Sequence, residues 1–466
     1  MAANQRIVVA ITMVAVSVAS LGVGYLLLQS PALGAAAAVA LVGMTVIFVD
    51  PFVGLVTYLL FLYLRPQDYL LALQNIPIML ALSAATFVLM ILHMAVRHRM
   101  IALPRVPQNF LMLWFYAAIV VSQLVWLNAA NTVDATLDFL PTLVMYFLIA
   151  TLVSTHRKLK FTVNLIVIAT VALAISGLIQ YFTGTGLGGK ETYEGRIQAV
   201  GIFSDPNDLG LALVVVLPFF YLKLTEVTPL WQKPLAFGGL ALIMYALFLT
   251  QSRGGILALG VLLVLLLIRR VGKTFGLVAG GIVFLAIFAL APRMGTISTE
   301  EASAAGRVEA WSVGLNLLQA YPLFGVGAHN FTEYHFRTAH NSFVLCAAEL
   351  GAFGLLAWVM LIYLSIKNNE FIAAEVSRLR MRDIAVYVDT IRYGLIAFAV
   401  GAYFLSRTYN ELLFIFVGLS AAVTNIFVRE SGGRYVLMEK RDFVNTLLWT
   451  AGVWVFTKAF LLFAWL

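Results

Sequence analysis

Three stretches of this chain carry residue types suited to chemistry on a phosphorylated substrate. In the first, Arg196 precedes Gly201-Ile202-Phe203-Ser204-Asp205-Pro206-Asn207-Asp208, which reads as a loop, a turn and a helix start capped by Asn207 or Asp208. Capping alone accounts for Asp205 and Asn207 but leaves Arg196 unexplained. In the second, Thr250-Gln251-Ser252-Arg253-Gly254-Gly255 puts an arginine at the end of an apolar run. A planar permanent cation there suits bidentate phosphate binding, the competing role being a reach to lipid headgroups. The flanking glycines favour a site, because they let another backbone or a ligand come close.

In the third, Gly306-Arg307-Val308-Glu309-Ala310-Trp311 opens an amphipathic helix with Arg307 and Trp311 on one face. Pro322 ends it, and the glycines of Tyr321-Pro322-Leu323-Phe324-Gly325-Val326-Gly327-Ala328-His329-Asn330 require a tight turn rather than more helix. The stretch closes on Ala339-His340-Asn341-Ser342, directly before another apolar run. The positive end of a helix dipole disfavours a protonated imidazole, so His340 is expected to be neutral and able to act as a base. Trp311, His329 and Asn341 are expected to contact an acceptor or shape the loop, while His329 and His335 fit structural roles equally well. With no Asp-x-Asp pair and no His-x-x-x-His, neither a metal nor a cofactor is expected.

The elements that must position these residues are membrane helices. Of 466 residues, 62% are hydrophobic and 11% charged, which excludes a soluble fold. The net charge of +8 sits in short basic clusters between apolar runs, the pattern of inner-facing anchors rather than of a nucleic-acid surface. Cys346, the single cysteine, allows no disulfide. Runs long enough to span occur near 7–28, 32–49, 76–96, 110–127, 139–153, 161–182, 209–222, 235–250, 254–268, 274–291, 342–366, 384–405 and 411–428, with a short run at 52–64. The sum is an all-α polytopic protein of about 12–14 transmembrane helices.

Basic clusters at 97–105, 156–160, 269–273, 378–382 and 429–441 belong inside, with the amino terminus and a retained first helix. The connections near 65–75, 128–138, 183–208, 250–253, 292–341 and 406–410 then face outward. All three chemical stretches fall on that side. The organisation expected is 1–291 as spanning helices with short loops, 292–341 as a long outer loop carrying the chemistry, 342–428 as further spans, and 429–466 as an inner segment with a terminal apolar helix. The run at 445–466, with Lys458 inside it, fits a span or an interfacial helix. Spans nearly free of charge at mid-depth disfavour transport.

Taken in order, Arg196 before Phe203-Ser204-Asp205-Pro206-Asn207, Ser252-Arg253-Gly254-Gly255, Gly306-Arg307 to Trp311 with Pro322 to Gly327, and His340-Asn341-Ser342 resemble the O-antigen ligase and O-antigen polymerase family of bacterial inner membranes. The resemblance is strongest over 161–428. It implies a GT-C-like fold with a periplasmic loop and an inverting, metal-independent glycosyl transfer at the periplasmic face. The implied donor is a glycan on undecaprenyl diphosphate, and the implied acceptor is lipid A core or another saccharide. In that scheme Arg196 and Arg253 bind the donor diphosphate, Arg307 assists, and His340 deprotonates the acceptor hydroxyl. Ligase, repeat-unit polymerase and protein O-glycosylation ligase share the constellation. A lipid-linked glycan flippase is the non-enzymatic alternative, since it would use the arginines without a base. The Arg65-Pro66-Gln67-Asp68 hairpin and the terminal run exceed a minimal twelve-helix ligase.

Overall fold

The computed structural model describes residues 30–69, 77–98, 104–226, 228–290, 302–376, 382–432 and 438–464, with Ser20, Gly22, Tyr25 and Leu28. Most of the expected first run at 7–28, the start of the outer loop with Arg293, and parts of the basic clusters at 97–105, 378–382 and 429–441 lie outside the described residues.

The apolar runs form helices: α1 (Pro31–Val49), α2 (Pro51–Leu64), the single turn α3 (Pro66–Tyr69), α4 (Ile78–His98), α5 (Pro107–Leu124), α6 (Ala129–Leu152), α7 (His156–Thr183), α8 (Pro206–Thr225), α9 (Gln232–Thr250), α10 (Arg253–Val271) and α11 (Lys273–Leu290). They continue with α12 (Ala302–Ala320), the single turn α13 (Phe331–Tyr334), α14 (Ser342–Glu375), α15 (Ala385–Ala402), α16 (Glu411–Glu430) and α17 (Lys440–Ala464). Among the described residues nine helices are long and apolar enough to cross a membrane, and three shorter apolar helices accompany them. Extended pairing there is limited to two isolated bridges, Thr185 with Glu191 and Tyr193 with Arg196. The chain is an all-α polytopic membrane protein.

Several helices outrun their apolar segments. α6 begins at Ala129 rather than near 139, because Asn128 caps it by accepting the Asn131 N–H at 3.1 Å. Its first turns carry Asn131, Asp134 and Asp138, which hydropathy reads as loop. α14 continues to Glu375, beyond the expected 366.

α14 is the central strut, packed against α5, α12, α15, α16 and α17. At the end expected to face inward, basic residues are tied to acids. Arg269 on α10 binds Glu226 at 2.9 Å and also Asp389 on α15, and His156 lies 3.2 Å from Asp383 and 2.9 Å from Glu430. The terminal run forms one helix, α17. It lies antiparallel to α14, with Lys367 donating to Asp442 at 2.6 Å at the inner end. At the outer end Tyr403 Oη and Thr457 Oγ1 are 2.9 Å apart and Trp311 meets Phe460 at 5.2 Å. Its 25 residues extend about 37 Å at the α-helical rise.

Candidate active site

Four helices, α8, α10, α14 and α16, start together at one end of the bundle, the end expected to face outward, each with a side-chain cap. Asp205 accepts the Asn207 N–H at 2.7 Å, Ser252 the Gly255 N–H at 3.2 Å, Asn341 the Phe343 and Val344 N–H at 3.0 and 3.2 Å, and Asn410 the Leu412 N–H at 3.0 Å. The cap of α8 is therefore Asp205, with Pro206 as the first helical residue, and not Asn207 or Asp208. The turn between α15 and α16, residues 403–410, joins these starts. Ser342 Oγ donates to the Leu405 carbonyl at 2.6 Å and accepts the Arg407 N–H at 2.7 Å, while Thr408 Oγ1 donates to the Ser342 carbonyl at 2.9 Å. A Cβ on Gly254 would lie 3.2 Å from Phe404 Cβ, so Arg253 enters beside the same turn. Converging helix N-termini give a region of positive potential with outward-facing N–H groups, suited to an anion.

The arginines ring this region. Arg196 is buried: its Nε donates to the Thr250 carbonyl at 2.8 Å and its Nη2 to Asn207 Oδ1 at 2.9 Å, linking the start of α8 to the α9–α10 turn. Asn207 is thus an arginine partner rather than a cap. Arg253 is the first residue of α10 and is half-buried. Arg307, half-buried on α12, follows Gly306, where a Cβ would lie 3.2 Å from Arg337 Nη1.

His340 sits at φ +49°, a conformation that side-chain-bearing residues adopt at a cost. Its N–H donates to Ser406 Oγ at 2.7 Å, and Thr338 Oγ1 donates to the same oxygen at 2.7 Å. The imidazole is pushed down to about 4 from its usual 6.5, first by burial and then by Arg307, Arg407 and Arg337, with Asp205 opposing. His340 is therefore neutral at pH 7, as the sequence implies. The structural causes are burial and three cations, of which only Arg337 is a sequence neighbour of His340.

The remaining sequence candidates have structural employment. Trp311 is 3% exposed, its ring 5.4 Å from that of Tyr403 and 5.2 Å from that of Phe460, so it locks α12 to the outer ends of α15 and α17. Asn341 caps α14. His329, at φ +66°, lies 4.5 Å from the Tyr409 ring. Burial lowers its imidazole, with Asp138 opposing. Tyr409 Oη donates to Glu349 Oε2 at 2.7 Å, and Glu349 Oε1 accepts the Phe331 N–H at 3.2 Å. The structure thus joins Arg307, His340 and Asp205 in one field, links Arg196 to Asn207, and joins His329 to Tyr409 and Glu349.

The turn from Pro322 to Gly327 has a specific task. α14 breaks at Gly351, φ +61° and ψ −164°, freeing carbonyls before the break and amides after it. Val326 and Gly327 N–H donate to the Ala348 and Glu349 carbonyls at 2.9 and 3.0 Å, and Ala352 and Phe353 N–H donate to the Pro322 and Leu323 carbonyls at 2.9 and 3.1 Å. The outer loop is thereby stitched into the break. Gln123 Nε2 on α5 clamps its far side by donating to the Ala328 carbonyl at 2.5 Å.

Sequence reasoning missed Arg407, Asp208, Ser406 and Glu349. Arg407 gave one signal, a cation in an outward connection where the charge rule expects none. Arg65 gave the same signal. A Cβ on Gly201 would fall 2.6 Å from its Cδ, so the Arg65 hairpin packs onto the loop that leads into α8.

A polytopic helical bundle thus carries, at one end, an imidazole ringed by cations. Residues 238–359 match the family model described as O-antigen ligase, which bears out the resemblance to the O-antigen ligase and polymerase family. The matched span runs from α9 through the first part of α14 and holds Arg253, Arg307, Trp311, the Pro322–Gly327 turn and His340. Arg196 precedes it. No curated protein matches the chain.

Proposed function

We propose that the protein transfers a glycan from an undecaprenyl-diphosphate carrier to an acceptor hydroxyl, on the periplasmic side of the bacterial inner membrane, by inversion and without a metal. The observation that carries this reading is the neutral imidazole of His340 held among arginines where four helix N-termini converge. The family match supports glycosyl transfer of the O-antigen ligase or polymerase type.

Arg196 and Arg253 hold the donor diphosphate, with Arg307 assisting, and offset the charge that builds as the anomeric C–O bond to phosphate breaks. The acceptor oxygen forms the new C–O bond from the opposite face and its proton passes to the His340 imidazole. The donor's negative charge offsets the cations that depress the imidazole, so the base strengthens when donor binds. Lipid A core is the acceptor in the ligase form of the reaction.

Purified protein in proteoliposomes, given an undecaprenyl-diphosphate glycan and a core-saccharide acceptor, is expected to transfer. His340→Ala and Arg253→Ala are expected to abolish product while retaining folded protein, and normal product from both would sink the proposal. In cells, a ligase deletion leaves long polymer on the carrier, whereas a polymerase deletion leaves single repeats.

A further inference from the structure

Arg407 lies in the turn between α15 and α16 that also receives the His340 main chain. Both oxygens of Asp208 on α8 grip its guanidinium: Nη2 donates to Oδ2 at 2.6 Å, and Nε donates to Oδ1. Such a fork against a carboxylate is arginine's particular geometry, which lysine lacks. Nη1 donates to the Ser406 carbonyl at 2.8 Å, and the Arg407 N–H donates to Ser342 Oγ at 2.7 Å. All three guanidinium nitrogens thus engage the protein itself. Ser406 is held in place by these bonds, and its hydroxyl oxygen accepts the His340 N–H and the Thr338 hydroxyl. His340 needs that hold, because its φ of +49° is costly without surrounding restraint.

We propose that Arg407 is a positioning residue for the transfer: clasped by Asp208, it sets Ser406 beneath the His340 main chain and so fixes where the imidazole meets the acceptor hydroxyl. The inference rests on the proposed transferase function. It joins the Asp205-to-Asp208 motif at the start of α8 to the His340 loop through one ion pair, an assignment that neither motif makes alone.

The test uses the full chain in proteoliposomes with undecaprenyl-diphosphate glycan extracted from host cells as donor and core-saccharide lipid as acceptor. Arg407→Lys keeps the charge and loses the fork, and Asp208→Asn loses the clasp. Each is expected to lower kcat by about 10²-fold, the scale of an ångström misplacement. Donor KM is expected to stay within about twofold. The double variant is expected to be no worse than either single one, as coupled residues require.

Charge is separated from position by pH. The groups facing His340 are Arg307 from α12, Arg337 from the loop before His340, Arg407 from the α15–α16 turn and Asp205 from the start of α8. Arg407→Lys is expected to keep the acid limb of the pH profile, and Arg407→Gln to move it upward. If either variant fails to fold, Ser406→Ala decides, since it leaves the Arg407–Asp208 pair in place and is expected to lower kcat at unchanged KM. A raised donor KM at normal kcat in Arg407→Lys would make Arg407 a donor-binding residue and overturn the inference, as would additive losses or wild-type kcat. Transfer that survives His340→Ala overturns the function itself, whereas a dead His340→Ala beside a fully active Asp208→Asn overturns this inference alone.

Discussion

At the scale of single residues, the proposed transfer turns on His340 and the charges around it. A base works when deprotonated, so its activity is present above its pKa and lost as pH falls through it. With the imidazole pushed down to about 4, the His340 contribution to kcat/KM is expected to be lost as pH falls through about 4, since that ratio reports the free protein. The kcat limb is expected higher, because bound diphosphate offsets the cations. Arg307→Gln removes one of them and is expected to move the kcat/KM limb toward 6.5, the ordinary imidazole value. Initial rates between pH 4 and 8 measure both limbs, and a limb that stays put in Arg307→Gln would break the electrostatic account. Arg196, Arg253 and Arg307 were legible as candidates because each sits beside a glycine, and His340 because it directly precedes an apolar helix start. The roles of Asp208, read only as a candidate cap, and of Glu349, inside an apolar run, were not: each acid gains its meaning from its partner. The partner of Asp208 lies 199 positions away and that of Glu349 lies 60 away.

At the scale of elements, the bundle uses broken and capped helices to bring main-chain groups to the site. The glycines from Gly325 to Gly327 were legible as a turn, yet the break in α14 that the turn repairs was hidden inside an unbroken apolar run. A Cβ on Gly351 would fall 2.4 Å from the Leu323 main chain, and one on Gly325 would fall 2.4 Å from that of Glu349. Both glycines also have positive φ. Gly351→Ala and Gly325→Ala are each expected to cost at least about 2 kcal/mol, the scale of such backbone conformations. The readout is a lower thermal midpoint in detergent. Gly452→Ala on α17, where nothing lies within 4 Å, serves as the control and is expected to be neutral or slightly stabilising, given alanine's helix preference. Ser252→Ala removes the cap of α10 and is expected to cost about 1 kcal/mol. Its melting shift should therefore be smaller than that of either turn glycine.

At the scale of the whole molecule, the apolar runs predicted the bundle, because backbone and charge must be shielded from hydrocarbon, and the basic clusters give the sidedness expected of it. The terminal run was ambiguous because Lys458 and its flanking polar residues weaken its hydropathy. Its path is fixed by partners that hydropathy does not read. Asp442 pairs with Lys367, Tyr363 accepts from Asn445 at 2.9 Å, and Phe460 reaches Trp311 at the opposite end. With the expected sidedness α14 runs inward from Ser342, and the antiparallel α17 then runs outward. A phosphatase fused after Leu466 is therefore expected to be active outside, and a green fluorescent protein fused there to stay dark. The reverse pattern would return the helix to the inner interface. The same course makes α17 a brace for α12, which carries Arg307. Phe460→Ala and Thr457→Val together should thus lower transfer more than they lower the thermal midpoint, and the two losses measured on one preparation separate a brace from a mere anchor.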